Sequence, residues 1–417
     1  MSNFQAALAA SETMPLGKSL CVFRQDSRTL CLLNNTASQV WQALSKGLPD
    51  DAVARQLCDA YGIGYDRARQ DVSGLICDWQ ASGLTAMPMR KNGDGERPPL
   101  PQQCRAVAAD HPGHLNAIYG LSFCTAGQEP LHLKCHEPVL ARLLEAVLRP
   151  LRNDGASAGQ STAEPKDGAP KVLEVGTEEG SGGRSGGCHD QHGYWIRQPG
   201  GSIICGLDRS QARRAVLRQI LLQRHGPGNT SAILHASAVE QDGRAIVIAG
   251  PSGAGKTALT AALVASGANY LGDDLLALHR DGCQIGDFPA SLALKEGSWP
   301  LLTQLFPALG SCPTLTTRRL KVRYLDPTAQ SKPPAARWCR IAALILPHYQ
   351  SGCSLTMQKL GAEQTFNGLV SSGSEPAGIP PSIQSLARLA GSVPAWRMHF
   401  GDPDAAVAKI TRLGQGA

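Results

Sequence analysis

No apolar run in this chain approaches the roughly 20 residues that a membrane-spanning helix needs, and the stretch from Met1 to Pro15 lacks the basic start and apolar block of a secretory signal. The expectation is a cytoplasmic protein with no membrane partner. Cys-x-x-Cys pairs are also missing. The 13 cysteines are scattered from Cys21 to Cys353 without the histidine spacing of a zinc site, so they read as small buried hydrophobes in a reducing compartment. Strong charge of one sign is lacking too. A net charge of +6 spread over 417 residues, with no cluster of lysine, arginine and aromatics, excludes nucleic acid as the expected partner. No internal repeat is visible. With 42% apolar and 18% charged residues, the chain is long enough for two or three domains with sizeable cores.

What the chain does contain is Gly250-Pro251-Ser252-Gly253-Ala254-Gly255-Lys256-Thr257, preceded by the apolar run Ala245 to Ala249 and followed by the helix-forming stretch Ala258 to Ala265. A strand, a glycine-rich loop and a helix in that order form a P-loop. Backbone N–H groups from Gly250, Ser252, Gly253, Ala254 and Gly255 turn inward around phosphate oxygens, Lys256 adds a point charge, and the Thr257 hydroxyl is placed to ligand Mg²⁺. A structural glycine turn is the bland alternative; the flanking strand and helix argue against it. ATP and Mg²⁺ are the expected cofactors.

Asp273 and Asp274 close a short strand from Ala268 to Gly272. A helix of about ten residues travels about 15 Å away from the loop, and a strand of about five residues returns about 17 Å. Both carboxylates then reach the edge of the sheet where α/β proteins bind ligands, unless they are merely a surface turn. One acid is able to hold Mg²⁺ with Thr257 while the other accepts a proton from an attacking hydroxyl, which with Lys256 makes a minimal phosphoryl-transfer site.

Leu234-His235-Ala236-Ser237, the turn at Asp242-Gly243, the glycine-rich loop and Tyr270-Leu271-Gly272-Asp273-Asp274 together resemble the catalytic core of HPr kinase/phosphorylase and its relatives. The resemblance implies an α/β P-loop fold, Asp273 as catalytic base, Asp274 and Thr257 facing Mg²⁺, and His235 near the transferred phosphate, or else a histidine satisfied inside the fold. The further glycine-rich signature of the bacterial HPr enzymes, with its metal-binding glutamate, is absent. In its place stands Asp287-Phe288-Pro289-Ala290-Ser291-Leu292-Ala293-Leu294-Lys295, which resembles a divergent HPr kinase-related subgroup. Lys295 there either neutralises phosphate charge or is a solvated surface lysine. The family also implies a possible homo-oligomer.

Residues 1–86 read as a separate small α+β domain. A strand-like Thr29 to Leu33 precedes a helix capped at Asn34-Asn35, a second helix opens near Asp50, and a third carries Val72, Leu75, Ile76 and Trp79. Three such helices behind an N-terminal strand pair suggest a winged helix. Asp66, Asp71 and Asp78 on the third helix disfavour DNA. Leu33-Asn34-Asn35-Thr36-Ala37 with Val40-Trp41, Tyr61-Gly62, and Asp71-Val72 leading to Gly83-Leu84 resemble PqqD and the recognition elements of ribosomal-peptide modifying enzymes. That resemblance implies a precursor peptide whose leader adds as a strand to the small sheet. Trp41 and Trp79 read as core.

The proline-rich, polar stretch 87–112 reads as a flexible linker, and 113–417 as the P-loop domain, with a glycine- and serine-rich insertion at about 154–187 expected to be disordered. A helix from about Ser210 to Arg224 carries Arg213, Arg214, Arg218 and Arg224 on what reads most simply as a solvated face, with one of them able to reach the nucleotide or an acidic peptide as the alternative, and the tail from about Ile383 reads as helical. The expected function is an ATP-dependent kinase acting on a serine or other hydroxyl of a ribosomally made, lasso-peptide-like precursor. A nucleotide-gated peptide chaperone, or a kinase of an HPr-like carrier or small metabolite, is the alternative.

Overall fold

Continuous apolar runs, Leu20 to Phe23 and Leu30 to Leu33, give a small N-terminal sheet two apolar faces, since successive side chains point to opposite sides. The computed structural model describes residues 11–24, 29–85, 119–123, 131–151, 171–177, 193–317, 320–333, 336–377 and 382–415. Strands β1 (Ser11–Leu16), β2 (Ser19–Arg24) and β3 (Thr29–Leu33) pair antiparallel in that order. The sequence led us to expect only a pair, because Pro15 obscures the alternation of β1; as an edge strand it tolerates a proline. Helices α1 (Asn35–Ser45), α2 (Asp50–Tyr61) and α3 (Tyr65–Ala81) follow. The Asn34 side chain caps α1 by accepting from the Ala37 N–H at 2.9 Å, and α2 stops at Gly62 in the left-handed conformation, where glycine carries no steric penalty. Leu20, Val22 and Leu33 face these helices and bury Val40, Trp41, Leu44, Val53, Leu57, Val72 and Trp79. Trp41 and Trp79 meet edge to face at 5.0 Å between ring centroids, as core residues.

The expected linker at 87–112 lies outside the described residues. Beyond it, β4 (Tyr119–Phe123), β5 (Leu131–Cys135), β6 (Lys171–Thr177), β7 (Tyr194–Arg197) and β8 (Ile203–Leu207) form a five-stranded sheet in chain order. It is covered by α4 (Pro138–Leu148) and α5 (Arg209–His225). Strand β6 lies within the insertion expected to be disordered over 154–187 and corrects that expectation for residues 171–177, the rest of the insertion lying outside the described residues. Its Leu173 and Val175 alternate inward, are fully buried, and complete the sheet between β5 and β7. The glycine-rich flanks masked that pattern in the sequence.

The main sheet has the order β12-β10-β11-β18-β14-β13-β9-β20. Its members are β9 (Thr230–Leu234), β10 (Ala236–Gln241), β11 (Arg244–Ala249), β12 (Asn269–Gly272), β13 (Leu276–His279), β14 (Gln284–Gly286), β18 (Trp338–Tyr349) and β20 (Glu375–Pro376), with β19 (Thr356–Lys359) and β21 (Ala395–Phe400) attached beside β18. A second three-stranded sheet, β15 (Leu292–Lys295), β17 (Leu320–Leu325) and β16 (Thr314–Thr317), stands over one end. Helices α6 (Lys256–Ala265), α7 (Trp299–Leu305), α8 (Ala362–Ser371), α9 (Ser382–Ser392) and α10 (Pro403–Gln415) complete the domain. The tail is therefore not helical throughout. Ala395, Met398 and Phe400 are buried in β21, which runs parallel to β18 between α9 and α10.

The outer face of the N-terminal sheet is also buried. Leu16, Cys21 and Phe23 join Phe366 of α8 and Ile383, Leu386 and Leu389 of α9 in one apolar cluster, with β1 and β2 lying against α9. The Lys18 N–H donates to the Glu363 carboxylate at 2.9 Å. A free tether alone does not describe such a contact.

Four arginines on α5 read from the sequence as a solvated face, but three of them have partners. Arg213 reaches Asp274, Arg218 donates to the Ala377 carbonyl at 2.9 Å, and Arg224 pairs with the buried Asp287 carboxylate. Next to Arg224, His225 is 1% exposed and its Nε2–H donates to the Asp287 carbonyl at 2.7 Å. Burial lowers its pKa from 6.5 to about 4, against the pull of the Asp287 carbonyl and carboxylate. Nδ1 has no hydrogen-bond partner among the described residues, so protonation would create a buried donor with no acceptor.

A histidine with a depressed pKa stabilises the fold fully above its unfolded value and loses that contribution as pH falls through the folded one. The gap between 6.5 and about 4, at about 1.4 kcal/mol per pH unit, is worth about 3 kcal/mol. Urea unfolding at about pH 7.5 and about pH 4.5 should therefore show a steep loss of stability that is reduced in His225→Gln. An equal loss in both proteins would place the acid sensitivity elsewhere.

Candidate functional site

Strands β11, β18 and β21 are mutually parallel, β10 runs antiparallel to β11, and β12 antiparallel to β10. The C-terminal ends of β12, β11, β18 and β21 and the start of β10 therefore share one edge of the sheet. That edge carries, in order across the strands, Asp273, His235, the loop Gly250 to Thr257, Tyr349 and Phe400. The placement follows the rule that ligands of α/β sheets sit beyond the carboxyl ends of strands. A cleft of about 1090 Å³ opens over it, roofed by α4, α5, α7 and the β15–β17 sheet.

The glycine-rich loop is shaped by Gly253 and Gly255, at φ +89° and +94°. Gly255 is the residue before α6, and no side chain caps that helix, so its first N–H groups point into the cleft. Lys256 is 8% exposed and its ammonium donates to the Gly250 carbonyl at 2.6 Å and the Pro251 carbonyl at 3.3 Å. Burial lowers its pKa, opposed by Asp273 and Asp274. Lys295 is an exposed lysine that nonetheless has a partner at the loop. It lines the cleft and donates to the Ser252 hydroxyl at 2.9 Å, bringing a second positive charge to the loop.

The two aspartates separate. Asp273 is 5% exposed, and the Thr257 hydroxyl donates to its carboxylate at 3.1 and 3.3 Å. Burial and then the neighbouring Asp274 raise its pKa to about 7, against the Thr257 hydrogen bond and Lys256. Asp274 adopts φ +74°, a left-handed backbone that aspartate tolerates better than most residues and that clusters at functional sites. That turn sends its side chain the other way, to His235 Nδ1 at 3.1 Å and to Arg213 Nη2 at 3.4 Å. The expected partnership of Thr257 with Asp274 is thus exchanged, and it is Asp273 that stands beside Thr257.

His235 sits between β9 and β10, where its own N–H donates to the Ser374 hydroxyl at 3.2 Å. Burial lowers its pKa, with Asp274 opposing. The imidazole is therefore neutral at neutral pH, and Nδ1–H is the donor that suits the Asp274 carboxylate. Neither of the two open readings of His235 was complete; it is partly buried and it reaches the acid pair. Arg213 was read with three other arginines as a solvated face from which one could reach the nucleotide, and nothing singled it out. Its only signal was an arginine on the helix face that also carries the apolar positions Val216, Leu217 and Ile220.

The segment Asp287 to Ser291 works from beneath. Phe288 N–H donates to the Leu271 carbonyl at 2.7 Å, Phe288 bridges to Gly272, and Tyr270 donates from its hydroxyl to the Ala290 carbonyl at 2.7 Å. The turn that replaces the expected family signature thereby clamps the strand that ends at Asp273.

Among the described residues no helix is long and apolar enough to cross a membrane. No curated protein matches the chain. Of the solved structures, one described as TbiB1 in complex with the TbiA(beta) leader peptide is 14% identical over 20% of this chain and 94% of that one, with a TM-score of 0.18. The Hpr(Ser) kinase/phosphatase from Coxiella burnetii is 11% identical over 44% of this chain and 99% of that one, with a TM-score of 0.23. Those scores are too low to specify the arrangement of the chain. Residues 22–84 match the family of coenzyme PQQ synthesis protein D (PqqD). The three helices, β3 and the end of β2 thus form a PqqD-type domain, placed ahead of the α/β unit that holds the cleft.

Proposed function

We propose that the protein is an ATP-dependent kinase that phosphorylates a serine or other hydroxyl of a ribosomally synthesised, lasso-peptide-like precursor recruited through residues 22–84. The observation that carries the reading is the convergence of two different acid pairs, Asp273 with Thr257 and Asp274 with His235, on one glycine-rich loop. The PqqD-type domain supplies the reason for a peptide acceptor.

The residues fit a divalent cation. A buried carboxylate whose ionisation is penalised, with a hydroxyl oxygen at 3.1 Å and open space beyond, is a donor set that gains from added positive charge. Asp273 and Thr257 would hold Mg²⁺, which supplies charge neutralisation to the nucleotide phosphates. Lys256 and Lys295 neutralise further charge from the two sides of the loop. The acceptor oxygen forms a bond to the γ-phosphorus, the bond from that phosphorus to the β,γ-bridging oxygen breaks, and Asp274 takes the acceptor proton. His235 and Arg213 fix the Asp274 oxygens so that a lone pair faces the acceptor. The expected roles of the two acids are exchanged in this account, because only Asp273 is beside Thr257.

Incubating the full chain with MgATP and a precursor peptide, with and without its leader, tests the reading. Mass spectrometry should find one phosphoryl group on the peptide, with efficiency falling steeply when the leader is removed, since tethering raises local concentration to roughly millimolar. A peptide unchanged in mass despite tight binding would replace the kinase with a nucleotide-gated chaperone. One observation favours that second reading. The glycine-rich signature that carries the metal-binding glutamate in the bacterial HPr enzymes is absent from the sequence, which leaves Asp273 and Thr257 to hold the cation.

A further inference from the structure

We infer that Tyr349 is the platform on which the base of a purine nucleoside triphosphate stacks, with Phe400 as its support. The inference rests on the proposed nucleotide site and adds the direction in which the nucleotide lies. Along the sheet edge the acid pairs at β12 and β10 stand on one side of the glycine-rich loop, and Tyr349 and Phe400, at the ends of β18 and β21, stand on the other. Four inter-strand steps of about 4.8 Å separate β12 from β21, about 19 Å in all. With the γ-phosphate held on the acid side through the Mg²⁺ that Asp273 and Thr257 would bind, a nucleotide extended along the sheet edge runs toward Tyr349.

The chemistry at that end suits a base. Tyr349 is 45% exposed, one of few large apolar side chains left open, and it lines the same cleft as Gly255, Lys256 and Thr257. Its ring meets the buried Phe400 edge to face, with centroids 5.5 Å apart at 64°, which fixes the plane it presents. Pro403 and Ala258 give the cleft a small apolar floor beside it. The acid side of the loop holds Asp273, Asp274 and Arg213, and the cleft's remaining exposed apolar residues, Val139, Leu301 and Leu320, are aliphatic, so Tyr349 is the exposed aromatic face of the lining. A π-face on an apolar floor recognises a flat heterocycle and repels a phosphate.

A second role for the residue has to be separated from this one. The Tyr349 N–H donates to the Ala254 carbonyl at 3.3 Å, and a Cβ at Gly255 would lie 3.1 Å from Tyr349 Cβ, so the residue also braces the loop. That bracing is made by backbone and Cβ, which Tyr349→Ala retains, while stacking is made by the ring alone.

Calorimetric titration of the full chain with MgATP, MgGTP and magnesium tripolyphosphate distinguishes the two. Tyr349→Ala is expected to raise Kd for both nucleotides by about ten- to a hundredfold, the range for loss of one base–aromatic stack, and to leave tripolyphosphate affinity unchanged. Tyr349→Phe should bind all three as wild type does. An equal loss for tripolyphosphate, or no loss for the nucleotides, overturns the stacking role. Failure of the wild type to bind either nucleotide or tripolyphosphate would instead remove the nucleotide reading itself.

Discussion

Asp274→Asn should lower peptide phosphorylation by about 10²- to 10⁴-fold, the range expected when a general base is lost, while MgATP affinity stays close to that of the wild type. The amide retains the shape of the side chain and can still accept from His235 Nδ1, yet it has no lone pair basic enough to take the acceptor proton. Asp273→Asn should behave in the opposite way. It removes the carboxylate that pairs with Thr257, so MgATP binds more weakly, and the nucleotide-free protein becomes more stable above about pH 7. The sign follows from the carboxyl itself. Its pKa is raised by burial to about 7, so ionisation is unfavourable in the fold and costs stability as pH rises through that value. Steady-state kinetics with a precursor peptide, nucleotide titrations and thermal melts at two pH values separate the variants. Equal effects on turnover with no difference in nucleotide affinity would dissolve the division of labour between the two acids.

How much of this was legible in the sequence depends on how local each feature is. The loop from Gly250 to Thr257, its flanking strand and helix, and the arrival of Asp273 and Asp274 beside it follow from backbone geometry over some 25 consecutive residues, so motif spacing found them. Which aspartate faces Thr257 was not legible, because it turns on a single left-handed backbone conformation at Asp274. Arg213 and Tyr349 were hidden for another reason. Each is brought to the site by strand order and helix packing across more than 60 residues of chain, and nothing adjacent to either marks it. Strand β6 shows the converse error, where composition over a long window outweighed a short inward alternation of Leu173 and Val175.

The small domain gives a further contrast. Trp41, Trp79 and the Asn34 cap were readable because period and capping are local rules. The burial of Leu16, Cys21 and Phe23 against α8 and α9 was not, since the apolar run of β2 asks for cover on both faces but the helices that supply it lie more than 300 residues away in the chain. That contact joins the PqqD-type end of the chain to the helix that follows Ser374, whose hydroxyl accepts from His235. Deleting residues 1–86 therefore exposes apolar surface on α8 and α9, and a loss of turnover in such a deletion does not by itself report loss of peptide recruitment.

Gly272→Ala is expected to disable the site by space alone. The position has no positive φ, so alanine is conformationally acceptable there; the obstruction is the Cβ, which would lie 2.6 Å from the Phe288 carbonyl oxygen and 2.9 Å from Leu276 Cδ2. A backbone carbonyl cannot rotate away as a side chain does. Phe288 is held from both sides, by its N–H to the Leu271 carbonyl and by the burial of its ring. Relief then has to come from β12 moving off the Asp287 to Ser291 turn, at a cost of about 1–3 kcal/mol for overpacking of this kind. The residue that follows β12 is Asp273. A displacement of about 1 Å at a positioned catalytic group is enough to lower turnover about 10²-fold. Thermal denaturation and phosphorylation kinetics should therefore both suffer in Gly272→Ala. Gly297→Ala, whose Cβ meets nothing within 4 Å, serves as the matched control and should melt with the wild type. If Gly272→Ala melts and turns over like the wild type, the turn at Phe288 is not what sets the position of the acid pair, and the clamp assigned to the segment from Asp287 to Ser291 fails with it.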